Sequence, residues 1–332
     1  MSALLEVDNL SMHFPILGGV LRRPVGRVYA VNDVSFTLEP GETLGIVGES
    51  GCGKTTLGRA LVRLYEPTAG VVRFEGQDVR ALAGPELKTL RGDIQMVFQD
   101  PYTSLNPRRT IERTLEEPLV LHGVRDGAER RRRVRKLLDT VGLRESDLPK
   151  YPHEFSGGQR QRIGIARALV LEPKLVIADE PVSALDVSIQ SQVLNLLVDL
   201  QEEHDLTYIF ISHDLTVVKY ISDRIGVMYL GRLVELADSD EIHRQPRHPY
   251  TQALLASVPV PDPRRRKAHA PLEGDVPNPS DPPPGCPFQT RCPWAVDRCR
   301  SEIPVLEPAT GQPSHLVACH RADEIQQEEA PS

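Results

Sequence analysis

The chain has 332 residues, enough for one large or two modest domains around a buried core. Its 46 acidic residues outnumber 39 lysines and arginines, and the net charge of -7 argues against nucleic acid as a main partner. No stretch approaches the roughly 18 apolar residues of a membrane span, and the first residues lack a signal-peptide layout, so a cytosolic protein able to dock on a membrane complex is expected.

The first strong pattern is the apolar run Thr43-Leu44-Gly45-Ile46-Val47, which reads as a buried strand. It leads into Gly48-Glu49-Ser50-Gly51-Cys52-Gly53-Lys54-Thr55-Thr56, and Leu57 to Val62 then reads as the start of a helix. Strand, glycine-rich loop, Lys, hydroxyl and helix together make a phosphate-binding loop. Its glycines let successive backbone N–H groups turn inward, where the helix N-terminus adds partial positive charge. Lys54 is the point charge for the β/γ-phosphates, Thr55 offers a hydroxyl to Mg²⁺, and Cys52 is a small spacer.

From about Pro101 to Ala166 the chain is helical and charged, which predicts a helical insertion. Arg130-Arg131-Arg132-Arg133 within it reads as a solvated helix face, with acidic lipid or RNA as alternatives. Phe155-Ser156-Gly157-Gly158-Gln159 precedes a helix beginning near Arg160, and Ser156 before two glycines makes a second anion-binding turn.

Farther on, Leu175-Val176-Ile177-Ala178 and Thr207-Tyr208-Ile209-Phe210-Ile211 read as strands, with a helix over Ile189 to Leu200 between them. That alternation predicts an α/β fold of parallel strands with crossover helices. The first of these strands ends in Asp179 and Glu180, and strand ends of open α/β sheets face the ligand crevice. Asp179 is placed to support a Mg²⁺ shell and Glu180 to polarise water for attack on a γ-phosphate. His213, after the second strand, can hydrogen-bond that phosphate.

Sixteen of the 29 prolines fall between Pro246 and Pro313, so this tail is expected to be an irregular appendage, neither regular helix nor interior sheet. Four of the five cysteines, Cys286, Cys292, Cys299 and Cys319, lie in it. Disulfides do not suit a cytosolic chain, so four thiolates read as a metal site fastening the tail. Five residues separate Cys286 from Cys292, more than a zinc knuckle uses, and four thiolates also suit an iron–sulfur cluster.

The phosphate loop, Gln99 in Met96-Val97-Phe98-Gln99-Asp100, the Phe155–Gln159 turn, Asp179-Glu180, Ser183-Ala184-Leu185-Asp186 and His213 occur in the order found in ABC-type ATPases, which the chain resembles over roughly residues 4 to 250. The resemblance implies a P-loop ABC ATPase core, a RecA-like mixed sheet with helices, carrying a helical subdomain at about 101–166. Two subunits would sandwich two ATP molecules, with Ser156 and Gly158 of one subunit on the ATP held by the other. Gln99 would sense Mg²⁺ and the membrane partner, Glu180 act as catalytic base, Asp186 communicate across the dimer, and His213 be the switch histidine. An aromatic after the first strand would stack on adenine: Phe14 by position, with Tyr29 as rival beyond an apparent insertion from Pro15 to Arg27.

Gln99 to Arg108 and His248-Pro249-Tyr250-Thr251-Gln252-Ala253-Leu254-Leu255 further resemble the ATPases of dipeptide and oligopeptide importers. The core is then 1–250, and 251–332 an importer-type C-terminal extension. Gly285 to Pro293 and the later His315 to Cys319 resemble relatives with a 4Fe–4S cluster, which is the expected occupant of the four cysteines, with zinc or free thiols as alternatives. The implied partners are a second homologous ATPase (a heterodimer preferred, a homodimer possible), two transmembrane permeases and, indirectly, an external peptide-binding protein. The implied place is the cytoplasmic face of a bacterial cell membrane, peripherally held. Nickel or another small solute is an alternative cargo; a soluble ABC protein in translation or DNA repair, or a cluster-regulated redox sensor, are alternative roles.

Overall fold

The computed structural model describes residues 3–258 and 274–325. The expected extension over 251–332 includes 259–273 and 326–332, which lie outside the described residues. The chain forms two compact units. One comprises Met1–Leu5, Leu38–Thr43 and Arg73–Ile211, the other Glu6–Thr37, Leu44–Val72 and Ser212–Ser332.

The first unit holds three parallel strands, Ile94–Val97, Leu175–Asp179 and Thr207–Ser212. Val97 faces Ala178 across one ladder and Asp179 faces Ile211 across the next. The last two strands are buried at every position, the signature of parallel strands covered on both faces. The helix Val187–His204 joins them and ends on Asp205, whose φ of 53° breaks the helix in the left-handed region.

The expected helical insertion consists of Ile111–Leu121, Gly127–Thr140 and Gly157–Leu169, preceded by the short helix Pro101–Ser104. Ile111, Leu115 and Leu119 recur every fourth residue, as do Val134 and Leu138, so each helix presents one apolar stripe to its neighbours. Burying each Leu of such a stripe contributes about 1.5–3 kcal/mol. The arginine run is a helix face locally paired with carboxylates: Arg132 and Arg133 both donate to Glu129, and Arg130 lies 3.5 Å from Glu116. The hydrogen bonds from Arg133 and then Arg132 hold the Glu129 carboxyl below the usual range.

In the second unit, Leu5–Gly18 turns back through Gly19 and Arg22, both at positive φ, into Arg23–Leu38. The apparent insertion from Pro15 to Arg27 is thus the far end of a long hairpin. The strand Thr43–Val47 runs parallel to Arg224–Tyr229, which pairs antiparallel with Arg232–Asp238.

The tail departs from expectation here. Gln312–Val317 pairs with Arg232–Asp238 on one side and Glu307–Ala309 on the other, so a proline-rich segment does enter interior sheet. The prolines permit it through their register. On the inner side only Leu316 and Val317 have partners, so Pro313 interrupts no ladder there, and Pro308 lies in the short outer strand. Pro249–Ala256 is a regular helix with its proline at the first turn, where the missing N–H is not required.

Fastening comes from a buried carboxylate. Glu235 is fully buried and accepts from the Arg247 N–H at 2.6 Å, the His248 N–H at 3.1 Å and His315 Nε2 at 2.7 Å. Phe288 adds an apolar bolt, its ring 5.2 Å from Tyr229 and 5.4 Å from Tyr250. Among the described residues no helix is long and apolar enough to cross a membrane.

Candidate nucleotide-binding site

The loop 48–56 leaves a fully buried strand and enters the helix Lys54–Leu61. Gly48 has φ 156°, and a Cβ there would meet the Met228 carbonyl oxygen at 2.1 Å. Gly53 has φ 106°, and a Cβ there would meet the Ala30 carbonyl oxygen at 2.0 Å. Only glycine fits either place, because backbone already occupies the volume of a side chain. Lys54 is 4% exposed; its Nζ donates to the Gly48 carbonyl at 2.7 Å and the Glu49 carbonyl at 3.0 Å. That curls the loop around its own ammonium. Burial pushes the Cys52 thiol up, and the Gly231 N–H holds its carbonyl, in keeping with a spacer. Thr55 and Thr56 stand half-buried on the first helical turn, and Ser50 and Gly51 are exposed.

Glu49 is gripped from outside the loop. Its N–H donates to the Tyr250 hydroxyl at 2.9 Å, and its carboxylate takes Arg291 Nη1 at 2.6 Å and Nη2 at 3.0 Å. Arg291 also lies over the Tyr229 ring. Sequence reasoning missed these roles. Tyr250 and Arg291 stand 201 and 242 residues from Glu49, and the signal lay only in their membership of the His248 and Gly285 motifs.

Of the adenine candidates, Phe14 makes an edge-to-face contact with Tyr65, centroids 5.2 Å apart, and Tyr29 one with His13 at 4.8 Å. His213 follows the strand Thr207–Ser212 and is exposed.

In the other unit, Asp179 is 1% exposed at the end of its strand. Gln99 and Glu180 are brought together: Gln99 Nε2 donates to Glu180 Oε2 at 2.8 Å. Glu180 holds φ 45°, a left-handed conformation that a non-glycine residue adopts at a cost, and its N–H bonds the Ile211 carbonyl.

Ser156 caps the helix Gly157–Leu169 in a reciprocal box: Gln159 N–H to Ser156 Oγ at 3.3 Å, Ser156 N–H to Gln159 Oε1 at 3.0 Å. A Cβ on Gly158 would meet Ile189 Cγ2 at 2.4 Å, which sets the close approach to the helix Val187–His204. Asp186 begins that helix without capping it by its side chain, and both Ser156 and Asp186 are exposed.

The metal expectation in the tail is corrected. Among the described residues no three His, Cys, Asp or Glu side chains are grouped so that they could hold a metal ion, so neither the 4Fe–4S cluster nor zinc is supported. Cys286, Cys292, Cys299 and Cys319 do line one small cavity with Phe288 and Trp294. Burial in that apolar pocket pushes the Cys286 and Cys292 thiols up to about 11 and Cys319 to about 12. All five cysteines are free, and the Glu235 network and the aromatic bolt supply the fastening that the metal was invoked to provide.

Comparison with known proteins agrees with this geometry. The ABC transporter family profile matches residues 31–183, and the oligopeptide/dipeptide transporter C-terminal region matches 234–299. The chain is 56% identical over 320 residues to the oligopeptide transport ATP-binding protein AppF of Bacillus subtilis (strain 168), covering 96% of this chain and 97% of that one. It is 54% identical to the probable peptide ABC transporter ATP-binding protein y4tS of Sinorhizobium fredii (strain NBRC 101917 / NGR234), covering 96% and 90%. Among solved structures, cbiO1 from Clostridium perfringens, part of the transporter complex cbiONQ, aligns with TM-score 0.63 at 28% identity, over 74% of this chain and 92% of that one. The ATP-binding cassette MJ0796, a dimer in a post-hydrolysis state bound to ADP and Pi, aligns with TM-score 0.62 at 31% identity, over 71% and 98%. Core, extension and loop chemistry therefore agree: the chain belongs to the ATP-binding proteins of ABC transporters, in the branch bearing the oligopeptide/dipeptide transporter C-terminal region.

Proposed function

We propose that this protein is the ATP-hydrolysing subunit that energises import of di- and oligopeptides through a membrane ABC transporter. One observation carries the reading. Similarity to an oligopeptide transport ATP-binding protein runs through core and extension alike, over 96% of the chain.

In this reading the loop 48–56 cradles the triphosphate with its backbone N–H groups, and Lys54 supplies the point charge at the β/γ-phosphates. Bound Mg²⁺ neutralises phosphate charge, and the oxygens of Thr55, Asp179 and Gln99 are of the hard type that ion takes. Glu180 orients the attacking water, Gln99 steadies the Glu180 carboxylate, and His213 bonds the γ-phosphate. The Ser156 turn and Gly158 receive the γ-phosphate of a nucleotide on a facing subunit, Asp186 communicates across that interface, and Phe14 stacks on adenine.

ATP binds the closed sandwich better than the open one, and that difference in binding energy moves the permeases. The facing subunit is a homologous ATPase, preferably a different chain. Two permeases and an external peptide-binding protein complete the machine, with this subunit peripheral on the cytoplasmic face of the membrane.

Reconstitution with its permeases in liposomes tests the reading. ATP-dependent uptake of a labelled tripeptide, lost in Lys54→Ala, is the expected result. Uptake of nickel without peptide would overturn the cargo, and full ATP hydrolysis by a strictly monomeric protein would overturn the sandwich.

A further inference from the structure

Glu49 places a carboxylate inside a loop read as a cradle for a polyanion. Left alone, it would repel the ligand the loop exists to hold. It is not left alone: the guanidinium of Arg291, 4% exposed, takes both carboxylate oxygens in a fork, at 2.6 and 3.0 Å. The same residue's N–H is held by Tyr250, at the end of the core, so the backbone is fixed there and the carboxylate is fixed by Arg291 of the extension. Arg291 is in turn held by the Tyr229 ring, and Tyr229 and Tyr250 both pack on Phe288. A planar fork of this kind is specific to arginine.

We propose that Arg291 is a positioning residue for the phosphate loop, neutralising and drawing back the Glu49 carboxylate so that the C-terminal extension sets the affinity for nucleoside triphosphate. The proposal rests on the reading of 48–56 as a triphosphate cradle. It gives the extension a task at the ATP site beyond its match to the transporter family.

The test is fluorescence titration of full-length protein with mant-ATP and mant-ADP. Arg291→Ala exposes the carboxylate to the phosphates and should weaken mant-ATP binding about tenfold, the order expected for one like charge near a polyanion at intermediate dielectric. Mant-ADP, with less charge, should lose less. Glu49→Gln added to Arg291→Ala should recover most of the loss, and Arg291→Lys should retain part of the wild-type affinity.

Lys54→Ala separates the two readings. If it abolishes binding while Arg291→Ala binds normally, the clamp is overturned and the cradle stands. If neither variant changes binding, the cradle reading fails. Equal losses for both nucleotides without rescue by Glu49→Gln would mean a merely structural prop, and would also overturn the proposal. Should Arg291→Ala not fold, Arg291→Lys and the double variant carry the same comparison, with retention of part and of most of the affinity as the supporting results and parallel loss for both nucleotides as the overturning one.

Discussion

The chain carries two glycine-bearing turns at helix starts, the loop 48–56 and the Ser156 turn, and they are finished to different degrees. The loop 48–56 is braced on both sides of its exposed tip: backbone of Met228 and Ala30 fills the space beside Gly48 and Gly53, Lys54 is buried, and Glu49 is held by Tyr250 and Arg291. The Ser156 turn closes on its own Gln159, and Ser156 is exposed to solvent. A helix N-terminus capped by its own side chains has satisfied its first donors locally.

Four measurements test that contrast. Glu180→Gln should retain nucleotide binding while steady-state hydrolysis falls about 10²- to 10⁴-fold, as for loss of a positioned acid–base group. Undiminished turnover would remove Glu180 from its proposed role. Gly48→Ala should cost roughly 3 kcal/mol or more through positive φ and collision with the Met228 carbonyl, and take nucleotide binding with it. Denaturant titration beside ligand titration reads both effects.

The third concerns acid. Burial depresses the His248 imidazole to about 4, against the attraction of Glu235, and its Nδ1 accepts from the Tyr250 N–H, which needs the neutral ring. A depressed folded-state value means the unfolded chain binds the proton first, so the stabilisation is complete above about 6.5 and is lost as the pH falls from there toward 4. The thermal midpoint should decline over that window, and His248→Asn should flatten the decline. The smallest effect is Ser156→Ala. Loss of the cap should cost about 1 kcal/mol of helix stability. If the turn serves a facing subunit, ATP-driven dimerisation measured by light scattering should also weaken while mant-ATP binding by the monomer is spared.

Periodicity and turn chemistry carried most of the fold. The strand at Thr43–Val47 was legible because five apolar residues stood directly before a glycine loop, and the strand at Leu175–Asp179 because its run was apolar and stopped at two carboxylates. Composition failed in the tail. Proline content excludes interior sheet only if every residue must donate, and the register of Gln312–Val317 asks that of few. Cysteine count likewise suggested a metal, while among the described residues no group of side chains is placed to hold one.

Residue order alone revealed what is local along the chain: which glycine loop stands before a helix, which strand ends in acid, which helix starts on serine. These depend on backbone conformations set by neighbours a few residues apart. That Gln99 meets Glu180, that Glu235 anchors the tail and that Arg291 grips Glu49 emerged from packing between distant segments. Contacts between residues tens to hundreds of positions apart are chosen by how buried charges find partners, and no local pattern records that choice.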